Sequence, residues 1–233
     1  KRRAREWRFR CEVQALSHIL HPADLGQALS MIADVVVRAV HRLAIQDMQR
    51  RHGSIDGQSA ILALGRLGTG ALTAHSDLDL VVVFQAGTNA QSTGDRTLGS
   101  QVYFTRLTQT FVNWLSRPTA EGSLYEVDMR LRPDGEKGAV AVGLERFTEY
   151  YGKDAWVWEK LALAKARIIT EPAQSPAVVT ALTEAIYETT QHPIDLPIVG
   201  NAVLDMRQRL RDVYGSAPAL QLRKLPGGMA ELD

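Results

Sequence analysis

The chain has 233 residues, 45% of them hydrophobic and 23% charged, with a formal net charge of +1 at pH 7. That composition is ordinary for a globular protein long enough to bury a core, and its near-neutral balance argues against nucleic acid or a membrane surface as partner. The single cysteine, Cys11, excludes an internal disulfide, and no cysteine–histidine cluster has metal spacing, so a reducing, cytoplasmic setting fits. No apolar run approaches the roughly 20 residues of a spanning helix. The chain starts at Lys1 rather than Met and stops at Asp233 just after a strand-like start, and reads as a piece of a longer polypeptide.

Lys1, Arg2, Arg3, Arg5, Arg8 and Arg10 crowd the first ten residues and read as a solvated helix face. Apolar spacing predicts a helix from Glu6 to Leu20, stopped by Pro22, and a second from Ala23 to Gln49, closed by Arg50, Arg51, His52 and Gly53. A strand is expected over Ser59–Leu64, then a glycine turn, Gly65–Gly70, with a short helical turn near Ala71–Thr73. The next strand, Leu78–Phe84, carries a VVVF run typical of a strand buried on both faces. After a polar loop, Gln85–Arg96, a helix over Leu98–Leu115 presents Val102, Leu107, Phe111 and Leu115 on one side. Strict alternation then predicts a strand over Leu124–Leu131, with Tyr125, Val127, Met129 and Leu131 inward and Glu126, Asp128, Arg130 and Arg132 outward. Helices are expected over Leu144–Tyr151 and, capped by Asp154, to Ile169, the latter offering Glu159, Lys165 and Arg167 toward a site. Pro172 and Pro176 mark a boundary. Beyond it come two helical stretches, Ala177–Thr190 and Val199–Tyr214, and two short strands about Pro226-Gly227-Gly228.

Chemistry concentrates in ILALGRLGTGALTAHSDLDLVVVF, residues 61–84. In an extended strand Asp77 and Asp79 project to one side while Leu78 and Leu80 enter the core. Two carboxylates that close on one rigid element suit magnesium, which takes one or two of them plus substrate phosphates. Asp128 supplies a third from another strand, and three carboxylates can hold the two ions, about 3.5 to 4 Å apart, that align attacking and leaving oxygens in phosphoryl chemistry. The N–H groups of Gly68 and Thr69, read as opening a short helix, would grip a triphosphate, with Ser76 adding a hydroxyl. Arg130 and Arg132 share the Asp128 face; each either contacts phosphate or pairs with the acids, and Arg66 has the same two options. The chain lacks GxGxxG and GxxxxGK[ST] loops, which argues against Rossmann and P-loop binding.

GRLGTGALTAHSDLDLVVVF, LYEVDMRLRPDGEKG and DAWVWEKLALAKARI, in that order, closely resemble the glutamine synthetase adenylyltransferase family, strongly from Ile61 to Ile169 and faintly at GGMAELD. The resemblance implies an α+β nucleotidyltransferase fold of the DNA polymerase beta type, a mixed sheet flanked by helices with N-terminal and C-terminal helices added. It implies a nucleotidyltransferase domain over residues 1–171, and over 172–233 a helical extension and the start of a following strand. It further implies Mg2+, ATP as substrate, glutamine synthetase as partner, contact with other domains of the same polypeptide, and a possible nitrogen-signalling regulatory protein. DAWVWEKLAL and TAEGSLYEVDMRLRP resemble the adenylylating half more than the deadenylylating one. By position, Asp77 and Asp79 match the family's metal pair, Asp128 lies in its VDxRLRP segment, and Gly68 and Thr69 occupy its phosphate-binding turn. The chain departs at Ala71, where the family commonly has glutamate, and at Thr69, often a second glycine or serine. The third carboxylate is Asp128, inside the strong match, or alternatively Glu231 or Asp233. Three activities remain open at this point: AMP transfer to a tyrosine of glutamine synthetase, its phosphorolytic removal, and non-catalytic binding of nucleotide or partner.

Overall fold

Alternate residues of two adjacent strands supply both halves of the core. The computed structural model describes residues 1–120, 122–191 and 195–214. Strand β1 (Gly57–Ala63) pairs antiparallel with β2 (Leu78–Ala86), from Gly57 opposite Ala86 to Ala63 opposite Leu80. Ile61, Ala63, Leu78, Leu80 and Val82 face one way, toward helices α2 (Pro22–His52) and α4 (Ser100–Ser116), where Leu29, Val37, Phe111 and Leu115 meet them. Ala60, Leu62, Val81 and Val83 face the other way, onto α5 (Leu144–Glu149), α6 (Val157–Ala164) and α7 (Pro176–Gln191) through Phe147, Leu163, Val178 and Leu182. A strand covered on both faces must be apolar at every position. The VVVF reading of β2 holds, with Val81, Val82 and Val83 fully buried.

The sheet is mixed. Strands β3 (Val127–Asp128) and β4 (Ala141–Gly143) both pair parallel with β2, one at Leu78–Asp79 and the other at Val82–Phe84, and β5 (Arg167–Ile168) closes the far edge antiparallel to β1. The molecule is thus α+β, a mixed sheet flanked by helices, with α1 (Arg2–Leu16) packed on α2 and α8 (Leu196–Tyr214) on α6.

Four expectations change, each for a local reason. The helix expected near Ala71–Thr73 forms earlier as α3 (Gly65–Gly68). The third strand shrinks to two residues because Leu124 and Tyr125 both turn inward and the Arg130 N–H donates to Asp128 Oδ1 at 2.8 Å instead of to a neighbouring strand. The helix expected from Asp154 begins at Val157, where the Trp156 N–H donates to Glu159 Oε2, and it ends early enough for Ile168 to pair with Leu62. Val102 points outward, 47% exposed, since the buried stripe of α4 runs through Tyr103, Phe104, Leu107 and Phe111. The strands expected about Pro226-Gly227-Gly228, with Glu231 and Asp233, lie outside the described residues.

Candidate metal and nucleotide site

Asp79 shares the sheet face of Val81 and Val83, two residues further toward the start of β2. What lies against it there is backbone. Gly65 has φ +51°, and a Cβ on it would sit 2.1 Å from Asp79 Oδ2, so glycine meets both the left-handed conformation and the close approach. The Leu64 N–H donates to the Asp79 carbonyl at 2.9 Å, fastening the end of β1 to this point. Parallel pairing brings Asp128 directly opposite Asp79.

Asp77, Asp79 and Asp128 each offer an oxygen lying within 4.8 Å of the others. Asp77 is exposed and the other two half-buried. Such crowding raises the cost of ionising all three. The Asp79 carboxyl is pushed up to about 6, first by burial, then by the negative charges of Asp77 and Asp128, with Arg130 opposing. Asp128 goes down instead. The Arg130 side chain grips it, Nε at 2.9 Å and 3.1 Å from the two oxygens, and the hydrogen bond outweighs Asp128's own desolvation. Three hard oxygen donors that repel one another on two fastened strands fit a divalent cation such as Mg2+.

Other expected site residues take different parts. Gly68 and Thr69 close α3 rather than open it, and their N–H groups donate to the carbonyls of Leu64 at 2.8 Å and Gly65 at 3.2 Å. Gly68 answers to packing: a Cβ there would meet the Lys165 carbonyl at 2.4 Å and the Ala63 carbonyl at 3.0 Å. Ser76 Oγ staples its own loop, 3.0 Å from the Thr73 N–H and 2.8 Å from the Thr73 hydroxyl. Arg132, only 8% exposed, faces inward: it donates to the carbonyls of Met129 at 2.7 Å, Glu136 at 3.2 Å and Gly138 at 3.3 Å, holding the Pro133–Gly138 turn. Arg130, by contrast, is exposed. Glu159 is buried, accepting from the Tyr150 hydroxyl at 2.8 Å, which removes it from any site. Arg167 donates to Asp34 at 2.6 Å and to the Leu67 carbonyl at 3.0 Å, tying α2, β5 and α3 together.

Two cavities flank the acids. One of about 430 Å³ is lined by Asp77, Glu126, Asp128, Arg130, Arg132 and Glu136, among others. The other, about 530 Å³, lies toward α1 and includes Arg5, Arg8, Phe9, Ser76 and Tyr125 in its wall. Sequence reasoning missed the second because its wall joins three segments far apart in the chain.

A family profile described as glutamate-ammonia ligase adenylyltransferase matches residues 2–181. A bifunctional glutamine synthetase adenylyltransferase/adenylyl-removing enzyme from Brucella suis biovar 1 is 37% identical over 232 residues, 99% of this chain and 23% of that protein. Proteins of the same description from Mesorhizobium japonicum and Caulobacter vibrioides are 36% and 34% identical, over 99% and 100% of this chain and 23% of each relative. The chain therefore spans about a quarter of the length of the curated relatives it matches. Since the profile takes in every strand of the sheet and all three clustered acids, the chain belongs to the glutamate-ammonia ligase adenylyltransferase family, GlnE.

Proposed function

We propose that this chain is a nucleotidyltransferase of the DNA polymerase beta type that moves AMP from magnesium-ATP to a tyrosine hydroxyl of glutamine synthetase. The carrying observation is the convergence of Asp77, Asp79 and Asp128, oxygens within 4.8 Å of one another, where β2 and β3 pair in parallel. Those carboxylates hold the cation. A divalent ion held there supplies charge neutralisation at phosphorus and alignment for in-line displacement. Arg130, exposed at the mouth of the acid-lined cavity, offers its guanidinium to the triphosphate. Arg132 and Gly65 act one layer back, the first by holding the turn after Asp128 and the second by admitting the Asp79 carboxylate. The tyrosine oxygen attacks the α-phosphorus, the bond to the bridging oxygen breaks, and pyrophosphate leaves.

We take residues 1–171 as the nucleotidyltransferase unit and 172–233 as an extension whose helix α7 packs back onto β1 and β2, and the setting as cytoplasmic. The names of the relatives carry both adenylylation and its removal, so the assay includes both. With labelled ATP, magnesium and unmodified glutamine synthetase, the wild-type chain incorporates AMP, and Asp77→Ala and Asp79→Ala, with native circular dichroism, incorporate none. Undiminished transfer by either folded variant refutes the site. ADP formed from adenylylated glutamine synthetase and phosphate, without forward transfer, reassigns the chain to removal.

A further inference from the structure

The two cavities share Asp77 and Glu126 and otherwise differ in character. The acid-lined cavity contains Asp128 and Arg130, the groups suited to a cation and a triphosphate. In the larger cavity the arginines are already committed to backbone: Arg8 donates to the carbonyls of Leu124 at 2.8 Å and Ala74 at 2.7 Å, and Arg5 to that of Ser123 at 2.6 Å. They are walls there rather than phosphate clamps. Arg8 also lies 4.8 Å over the Tyr125 ring. Phe9 adds an aromatic ring that is 66% exposed. Tyr125 is 5% exposed, and its hydroxyl has no hydrogen-bond partner among the described residues. That hydroxyl is closed off from the cavity, so Tyr125 gives the wall its ring and not a polar contact.

Glu126 stands apart from the three clustered acids. Leu78 pairs with Val127 and Asp79 with Asp128, so one step back along the same register Glu126 lies across from Asp77, on the same face. It is exposed and belongs to neither the metal-ligating cluster nor any ion pair or hydrogen bond of its side chain among the described residues. It is a carboxylate left over from cation binding, on the rim where the cavities meet.

We infer that the α1-side cavity seats the acceptor, a protein-borne phenol, and that Glu126 is the catalytic residue that takes its proton. The inference rests on the nucleotidyl-transfer reading above. In-line displacement needs nucleophile and leaving group on opposite sides of phosphorus. With the α-phosphorus over the Asp77–Glu126 rim, pyrophosphate departs toward Arg130 and the phenol enters from Phe9 and Tyr125. The phenolic oxygen bonds to phosphorus, the α–β bridging bond breaks with its electron pair leaving on pyrophosphate, and the proton passes to the Glu126 carboxylate and then to water.

The test uses the whole chain with glutamine synthetase as acceptor, transfer rates being read beside calorimetric binding of magnesium-ATP. Glu126→Gln lowers kcat by about 100-fold or more, the scale of general-base catalysis, with ATP affinity unchanged; Glu126→Asp restores part of the rate. Ala74→Trp, filling the cavity, and Phe9→Ala, trimming its exposed wall, raise KM for glutamine synthetase by about tenfold or more, the scale of one lost aromatic contact, without weakening ATP. Full kcat in Glu126→Gln, or ATP affinity lost in place of acceptor KM, overturns the inference while leaving the transfer reading intact. A wild-type chain that incorporates no AMP overturns the transfer reading and this inference with it.

Discussion

His41 lies in the middle of α2 with almost no exposure; its Nε2 is 2.9 Å from Ser59 Oγ, the Phe111 ring stands edge-on at 5.8 Å, and its Nδ1 has no partner among the described residues. Burial lowers its pKa from 6.5 to about 4. Below pH 6.5 the unfolded chain takes up a proton that the folded one refuses, so stability is full above that pH and falls as pH drops toward 4. At about 1.4 kcal/mol per pH unit the loss by pH 4.5 is about 2.5 kcal/mol, a shift of about 1 M in a urea midpoint for a slope near 2 kcal/mol per M. His41→Gln removes the titration and keeps a polar group for Ser59. Urea unfolding of both proteins at pH 7.5 and pH 4.5 cancels what the carboxylates contribute to each. The wild type loses about 2.5 kcal/mol more than the variant across that interval. Equal losses refute the account of His41 as a buried, neutral ring.

Gly65→Ala forces a Cβ against Asp79 Oδ2 in a left-handed backbone; manganese affinity, read by electron paramagnetic resonance, falls at least about tenfold while helicity is kept, a loss of about 1.4 kcal/mol. Arg132→Met strips donors from three carbonyls of the turn after Asp128 and lowers stability by about 1–3 kcal/mol in chemical unfolding, whereas Arg130→Ala leaves the unfolding midpoint in place and impairs ATP binding. Leu182→Ala, fully buried under β1 and β2, costs about 2–5 kcal/mol, and an unchanged thermal midpoint would detach α7 from the core.

What could be read beforehand was whatever local pattern decides. The parity of Asp77-Leu78-Asp79 against the pleat sends both leucines into the core, and the unbroken VVVF run requires cover on both faces. Asp128 was legible as a neighbour of the pair through its strand-like alternation, even though the strand itself shrinks to two residues. The rest depends on partners remote in sequence. Nothing local to Arg132 tells that three carbonyls wait for it, and Glu159 looks like a solvent-facing acid until Tyr150 closes over it. Gly68 resembles a phosphate-turn glycine, but the constraint on it comes from Lys165, almost a hundred positions away.

The tether from Arg167 to Asp34 and the Leu67 carbonyl bears on how small a working piece of this protein can be. A fragment trimmed to residues 57–132 would retain all three clustered acids and lose both ends of that ion pair. Its α3 turn would keep the glycines and lose the guanidinium that anchors it. The unit that carries the chemistry is therefore set by the span from α2 to β5, nearly twice the length of that fragment.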